Sequence, residues 1–265
     1  MPSELVEVAF KGNRTGIYSN SVGITTKTGD YVIVEAERGE DAGVVIALGR
    51  VVTLKEIETE PQQLMRIASP EDIEKIKQNR EEEEKAFEIC KEKISKHNLN
   101  MKLVDVEYQF DRNKLTFYFT SDQRVDFRQL VRDLAAKYRT RIELRQIGVR
   151  DEAKRIGGYG TCGYKLCCNT FMREFETITT QYAKEQLLPM NPSKLSGVCG
   201  RLKCCLAFEK LFYISELEKY PEVDKQINTP HGQGIVDKID IFHGTIYVRF
   251  PNDELEKFTL EELER

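Results

Sequence analysis

The amino-acid sequence predicts an α+β protein with a small N-terminal β domain, a central α/β layer, a cysteine-rich segment and a C-terminal SH3-like β-barrel. Its 265 residues provide for two or three domains at about 150 residues each. Hydrophobic residues alternate at the strand period in some stretches and recur at the helical period in others. Six of the seven cysteines occur in two short blocks. These observations divide the chain at 1–62, 69–154, 155–210 and 220–265.

The composition excludes several classes of protein. There are 40 basic and 44 acidic residues, and a hydrophobic content of 40% excludes wholesale disorder. No apolar run approaches the roughly 18 residues that span a bilayer, and residues 1–4 do not resemble the start of a secretory signal. We therefore expect a cytoplasmic protein without membrane insertion. Because a reducing cytosol disfavours disulfides, the cysteines are expected to be metal ligands, reactive thiols or core residues.

The N-terminal module, 1–62, is rich in strand-forming residues. β-Branched runs at 31–34 and 44–48 border glycine-containing turns near Arg38 and Gly43. This alternation predicts a small β-meander.

The second module, 69–154, opens with a helix start signal. Ser69 is placed as an N-cap, Pro70 at the first helical position and Asp72 three residues after the cap. The apolar stripe of the helix that follows contains Cys90, which is expected to be a core residue rather than a ligand. The acidic run 81–84 is predicted to be a solvated helical face.

The rest of this module predicts a compact α+β layer. Residues 104–110 and 115–119 alternate as a hairpin with one buried face. Residues 127–138 follow the pattern of an amphipathic helix, and 142–147 suggest a further strand. Short β-rich runs after Gln233 predict the last small barrel, within 220–265.

Charge is unevenly distributed along the chain. Residues 150–210 carry ten basic and six acidic side chains, whereas 211–265 carry six and twelve. Among these segments and the first 149 residues, the cysteine-bearing one is basic. This suits an anionic partner or several thiolates, and an ordinary mixed surface explains it equally well.

The two cysteine blocks form a sequence repeat. The pattern C-G-x-x-x-C-C occurs at 162–168 and again at 199–205, at an offset of 37 residues. A metal centre needs several thiolates that converge, and the glycines give the backbone freedom to curl around it. The blocks therefore predict a metal site. The alternatives are inert buried thiols or a vicinal disulfide, which a reducing cytosol disfavours.

The identity of the metal is open on chemistry alone. Soft thiolates suit both zinc and iron-sulfur clusters. A structural zinc site usually has two C-x2-C knuckles, which this sequence lacks, so an iron-sulfur cluster is slightly favoured.

Other functional motifs are weak. The glycine run 157–160 lacks the spacing of a nucleotide-binding loop, and His97, His231 and His243 are isolated in sequence. A Cys-His nucleophile pair is a minor alternative. The polar loop 191–197 is interpreted as a turn rather than a phosphate site. Direct affinity for RNA is expected to be weak, through phosphate contacts by the following residues: Lys194, Arg201 and Lys203.

The residues 157–168 and 191–206 resemble the double cysteine motif of the bacterial RicT family, also called YaaT. With the flanking β modules the resemblance covers nearly the whole chain. It places the family's PSP-type domain at about 69–154. Tyr164 occupies a position at which the family commonly has arginine. The equivalent residue of the second block is Arg201. This departure leaves the thiols intact.

The resemblance implies a cofactor, partners and a process. It implies a [4Fe-4S] cluster, with zinc as the alternative, and it places the ligands at Cys162, Cys167, Cys168, Cys199, Cys204 and Cys205. It also implies a non-enzymatic cytoplasmic regulator that joins RicA-like and RicF-like helical partners. That complex is an adaptor for RNase Y in mRNA processing and is tied to sporulation, competence and biofilm development. The rival hypotheses are a zinc-stabilised nucleic-acid-binding protein and a dithiol oxidoreductase.

Overall fold

The computed structural model describes residues 4–53, 60–172 and 175–263. The chain divides into two compact units, Met1–Tyr159 and Gly160–Arg265, which we call unit 1 and unit 2. Together they form a mixed α+β protein, which confirms the predicted class. Within the described ranges, every helix is too short or too polar to cross a membrane.

Unit 1 begins with a closed five-stranded barrel. Its elements are β1 Glu4–Ala9, β2 Thr15–Asn20, β3 Tyr31–Ala36, β4 Gly39–Leu48, the short helix α1 Arg50–Thr53 and β5 Gln62–Ile67. The strand order is β1-β2-β5-β3-β4, and β4 pairs with β1 to close the barrel. Valines alternate inward along the strands and form the core with Phe10, Tyr18 and Leu64.

The predicted meander is wrong in its connectivity. A meander would pair β2 with β3, but β5 lies between them, parallel to β2 and antiparallel to β3. The sequence analysis assigned residues 1–62 to this module, so all of β5 except Gln62 lies outside it. The barrel therefore needs a strand from the stretch that leads into the next helix.

The second half of unit 1 is a three-stranded sheet covered by helices. Its elements are α2 Pro70–Lys96, β6 Lys102–Tyr108, β7 Lys114–Thr120, α3 Arg128–Tyr138, β8 Arg141–Gln146 and α4 Val149–Ile156. The predicted start of α2 is confirmed: Ser69 and Asp72 form a capping box. The predicted hairpin, helix and strand are confirmed as β6, β7, α3 and β8, and Cys90 is fully buried in the core.

Two predictions for this half are wrong. The hairpin was expected to bury one face, but β7 is buried on both, from Leu115 to Phe119. The run 81–84 was expected to be solvated, but the side chain of Glu83 is only 2% exposed. Glu83 is covered by its partner Lys11, and Tyr118 of β7 lies against the guanidinium of Arg155; sequence periodicity does not show such long-range contacts.

Ion pairs connect the barrel to the sheet. Lys11 lies on the 3-10 turn after β1, and its ammonium group is 2.7 Å from Glu83 and 2.9 Å from Asp105. Arg14 is 3.0 Å from Glu107. Arg155, on α4, is 2.8 Å from Asp105 and places its guanidinium 3.5 Å from the centre of the Tyr118 ring. The polar sheet face is thereby matched by cations.

In its described residues, unit 2 contains the cysteine blocks, four helices and a four-stranded sheet. Its elements after the first block are α5 Thr180–Glu185, α6 Pro192–Leu195, α7 Cys205–Leu217, β9 Gln226–Thr229, β10 Gly232–Asp240, β11 Thr245–Arg249, β12 Leu255–Thr259 and α8 Leu260–Leu263. The strands form a sheet in the order β12-β11-β10-β9. In the described residues β9 and β12 are the sheet edges, so closure into an SH3-like barrel is not confirmed.

Candidate metal centre

The two cysteine blocks fold into the same backbone turn. In the first block, the N–H of Gly160 donates to the carbonyl of Tyr164 at 2.8 Å. In the second, the N–H of Gly197 donates to the carbonyl of Arg201, also at 2.8 Å. These four residues are related by the same offset of 37 that relates the cysteines. The sequence repeat is therefore a structural repeat.

A left-handed glycine makes each turn possible. Gly163 has φ +80° and Gly200 has φ +75°, a region that L side chains rarely adopt. A Cβ atom at either position would have no neighbour within 4 Å. Glycine is thus required here by the backbone conformation and not by lack of space.

The six thiols differ in exposure. Cys168 is buried, Cys162 is exposed, and Cys167, Cys199, Cys204 and Cys205 are partly buried. Cys167 begins a 3-10 turn, Cys167–Asn169, and Cys205 begins α7. The adjacent cysteines of the first block therefore lie on a 3-10 turn, and those of the second block lie at the start of a helix.

Corresponding cysteines of the two turns meet. The thiol of Cys167 lies within hydrogen-bonding reach of Cys204, its counterpart in the second block. Burial raises the pKa of Cys167 to about 11, with further contributions from Cys204, Cys205 and Cys162. Burial, Glu209 and Cys204 also raise the pKa of Cys205. Four of the six predicted ligands are therefore close enough to interact.

The repeat extends to an aromatic pair that the sequence analysis missed. Phe171 and Phe208 each follow the last cysteine of their block by three residues. Their ring centroids are 4.9 Å apart in an edge-to-face arrangement. The same offset of 37 was the signal that could have revealed them. Equivalent positions thus contact each other at two points, Cys167 with Cys204 and Phe171 with Phe208.

A small core supports the second turn. Ala183, Leu195 and Leu206 are buried together. The loop at 191–197 contains the short helix α6, whose first N–H groups are satisfied locally: the amide oxygen of Asn191 accepts from the backbone and hydroxyl of Ser193. The side chains of this loop are therefore used in capping, in agreement with its interpretation as a turn.

The six thiols are of the chemical type that binds a soft metal, but their arrangement fits a metal ion less well. Thiols are the ligands that iron-sulfur clusters and zinc share. Among the described residues, however, no group of three or more His, Cys, Asp or Glu is placed to hold a metal ion. The chain brings two thiols into contact and two more nearby, but it does not assemble a full set of four.

The three histidines have carboxylate partners. His97 is 3.0 Å from Asp133, and His243 is 2.9 Å from Asp240. The ring of His231 contacts Glu256 at 2.5 Å. In the described part of the chain, these contacts hold each ring beside an acid rather than beside a thiol of the two blocks.

Comparisons with known proteins agree with the arrangement of elements. The PSP1 C-terminal conserved region matches residues 62–147, and the third domain of PSP1-like proteins matches residues 177–220. The first match covers β5 to β8, and the second covers α5 to α7. The chain therefore contains two regions of the PSP1 type.

A full-length relative identifies the family more closely. The chain is 43% identical over 260 residues to stage 0 sporulation protein YaaT of Bacillus subtilis (strain 168). The alignment covers 98% of this chain and 94% of that protein. The chain belongs to the YaaT family, which confirms the resemblance seen in its sequence.

More distant relatives share only part of the chain. An uncharacterized protein of Schizosaccharomyces pombe is 33% identical over 164 residues, which are 51% of this chain and 22% of that protein. Protein PSP1 of Saccharomyces cerevisiae is 31% identical over 140 residues, or 43% of this chain and 17% of that protein. No solved structure matches the chain.

Proposed function

We propose that this protein is an iron-sulfur-containing, non-enzymatic subunit of a cytoplasmic regulatory complex. Its partners are RicA-like and RicF-like helical proteins, and the complex acts as an adaptor for RNase Y-dependent mRNA processing. The observation that carries the proposal is the contact between Cys167 and Cys204 at the centre of two matching turns. The name of the Bacillus relative supports a part in sporulation, and biofilm development is proposed with it.

The proposed cofactor is a [4Fe-4S] cluster held by cysteines of the two blocks. Such a cluster takes four thiolate ligands, and Cys167, Cys204, Cys162 and Cys205 are the four that interact. Because their arrangement alone does not form a complete site, ligands from partner subunits are part of the proposal. When bound, the cluster would supply a redox-sensitive link between the chain and those partners.

The outer surface of α7 supports a helical partner. The helix is apolar around most of its circumference, although Leu206 is its only buried residue in the described structure. Phe208 is 61% exposed and Leu211 is 77% exposed. A helix with this composition is usually covered on several sides. The cysteine turns and this exposed helix lie next to each other in the chain, so one partner can contact both.

The thiols are poorly suited to a dithiol oxidoreductase. Reactive cysteines have a lowered pKa because a cation or a helix N-terminus stabilises the thiolate. Burial and the neighbouring thiols instead raise the pKa of Cys167 to about 11. This supports a ligand or structural role over a redox-catalytic one.

Metal analysis of anaerobically purified protein tests the proposal. We expect iron and sulfide in the full chain, and a loss of most bound iron in Cys167→Ser and Cys204→Ser, because a protonated hydroxyl is a poor substitute for a soft thiolate. Cys90→Ser is the matched control, and Cys90→Ala separates a buried hydroxyl from any loss of a ligand. Both should retain iron.

Three outcomes would contradict the proposal. Stoichiometric zinc without sulfide would favour the zinc-stabilised nucleic-acid-binding alternative. A colourless, metal-free protein that reduces disulfides would favour the oxidoreductase. Loss of iron in the Cys90 variants alone would show that the ligands are assigned to the wrong residues.

A further inference from the structure

The second half of unit 1 contains a strongly basic stretch that a coarse division of the chain hides. Residues 112–150 carry ten Lys and Arg but four Asp and Glu, in a chain whose net charge is −4. This stretch includes α3 and β8. Its positive charge is higher than that of the cysteine-bearing segment.

Several of these cations are unpaired. Arg139, Arg141 and Arg145 of this stretch are exposed, as is Arg38 from the turn after β3, and their guanidinium groups make no ion pair or hydrogen bond within the described ranges. The surface lysines of α2 differ, because Lys77, Lys85 and Lys91 pair with Glu74, Glu82 and Glu88, three residues away on the helix. The free arginines are therefore available to a ligand.

A cavity of about 250 Å³ brings three cations together. Its lining consists of Glu37, Arg38, Gln109, Asn113, Lys114 and Arg141. They come from the turn between β3 and β4, the turn between β6 and β7, and the first residues of β7 and β8. Lys114 and Arg141 are direct partners in the parallel β7–β8 ladder. The fold thus converges three cations from distant parts of the sequence.

Three acids lie at or beside these cations: Glu37 lines the cavity, and Asp111 and Glu143 contact other residues of its lining. The carboxylate of Asp111 accepts hydrogen bonds from the backbone N–H of Glu40 and from the backbone and side chain of Asn113. Glu143 is 3.7 Å from Lys114. Neither arginine of the cavity has a described acidic partner.

Two arginines lie along β8, with Glu143, whose carboxylate is 3.7 Å from Lys114, between them on the same face of the strand. Ile142 and Leu144 pack into the core beneath α3, so Arg141 and Arg145 lie on the opposite face of the strand. At about 3.3 Å per residue, their backbone positions are roughly 13 Å apart. A single small anion does not span this distance, whereas a polymer of phosphates does.

We propose that the cavity of Arg38, Lys114 and Arg141, together with Arg145, binds the phosphate backbone of a nucleic acid strand. The guanidinium group offers a planar fork of donors that matches phosphate oxygens. This site goes beyond the proposed function and needs no cluster. It also lies in unit 1, whereas the sequence led us to expect weak phosphate contacts at Lys194, Arg201 and Lys203.

Fluorescence anisotropy of the full chain with labelled oligouridylate and oligothymidylate tests this site across a series of salt concentrations. The test variant is Arg38→Gln with Arg141→Gln. The matched control is Lys77→Gln with Lys91→Gln, which removes the same charge from α2. We expect about tenfold weaker binding for the test variant at physiological salt, and a salt slope lower by about 1.4 at about 0.7 per lost contact to a single strand. The control should stay close to the unmodified protein.

Two further variants separate this site from the cysteine turns. Changing Lys194, Arg201 and Lys203 to Gln should leave binding unchanged, and so should Cys167→Ser, even where iron is lost. Arg38→Lys with Arg141→Lys should keep the salt slope and lose part of the affinity, because it preserves charge without the fork. Circular dichroism of each variant verifies folding.

Defined outcomes overturn the inference. It fails if both double variants weaken binding equally, since net charge alone would then explain it, or if only the triple variant does. It also fails if neither oligonucleotide binds below about 100 µM at low salt, or if anionic vesicles bind in their place. Equal binding of RNA and DNA supports a backbone ligand, and a preference for RNA supports the same site with added ribose contacts.

Discussion

Unit 1 and unit 2 handle their polar and apolar side chains in opposite ways. Unit 1 buries charged groups and gives them partners, as at Glu83, whose carboxylate accepts from Lys11, Arg80 and the backbone N–H of Tyr108. Unit 2 leaves apolar groups such as Phe208 and Leu211 exposed and brings thiols together without a complete ligand set. The buried charged groups of unit 1 pair within that unit, whereas unit 2 has thiols and apolar side chains that a cofactor or partner would satisfy.

This difference indicates where stability and regulation reside. A buried, fully paired network makes a domain sensitive to the loss of any one member. Half-exposed thiols on glycine turns cost little to rearrange. We therefore expect mutations in unit 1 to change folding, and ligand removal to act on unit 2.

The largest effect should come from Glu83→Ala. It removes the anion that pairs with Lys11 and leaves the N–H of Tyr108 without its acceptor. Breaking a buried pair in this way costs about 3–5 kcal/mol. Urea denaturation, with hydrogen exchange of β6 and β7 to follow unit 1, measures the change.

Glu84→Ala is the control for this substitution. Glu84 is the next residue on α2 and is exposed, so its removal should change the free energy of unfolding by no more than about 0.5 kcal/mol. Similar losses for the two variants would mean that the Glu83 network does not hold the barrel to the sheet.

A smaller and more local effect should follow removal of metal. Unit 1 has its own cores, so chelation should leave exchange in β6 and β7 unchanged. In the cysteine turns we expect exchange to rise by at least about tenfold. A uniform rise that includes β7 would show that the metal holds the entire fold, and the contrast between the units would then be lost.

The smallest effect should be the coupling between Phe171 and Phe208. Their edge-to-face contact predicts a coupling free energy of about 0.5–1.5 kcal/mol in a double-mutant cycle with alanine. Phe171 with Phe242 is a suitable control cycle, since Phe242 stacks on Phe212 instead. Zero coupling in the first cycle would indicate that the two turns do not meet in solution.

Local patterns predicted the elements α2, β6, β7, α3 and β8 of unit 1. The capping residues Ser69 and Asp72 defined the start of α2, and alternation defined β6 and β7, because both signals are contained in neighbouring residues. The fate of Glu83 could not be predicted in this way. Its burial depends on Lys11, which is 72 positions away in the chain.

The sequence predicted which cysteines belong to the candidate metal site, but not whether they form a complete ligand set. The offset of 37 predicted two equivalent cysteine blocks, and the structure shows equivalent turns. Sequence spacing does not state which thiols converge, and it did not show that a complete set is missing. α7 and the core at Leu195 and Leu206 give this segment some packing of its own.

Counting the net charge over long segments of the sequence also concealed the basic surface. The first 149 residues have a net charge near neutrality because the excess of acidic residues before Arg112, in α2 and elsewhere, offsets the basic residues that follow. Only the fold separates the two sets: lysines and glutamates of α2 pair with each other, whereas Arg141 shares a cavity with Arg38. Charge counted along the chain is therefore a weaker guide than charge counted over a surface.

The position of β5 has a consequence for any fragment cut from this protein. The PSP1 match begins at Gln62, where β5 also begins. A fragment that starts there would carry the barrel's last strand without its neighbours β2 and β3, and an unpaired strand invites self-association between chains. A fragment that starts at Ser69 would avoid this and keep the helix cap. Conversely, residues 1–53 alone would lack the strand that seals the barrel, so we expect them to aggregate during expression.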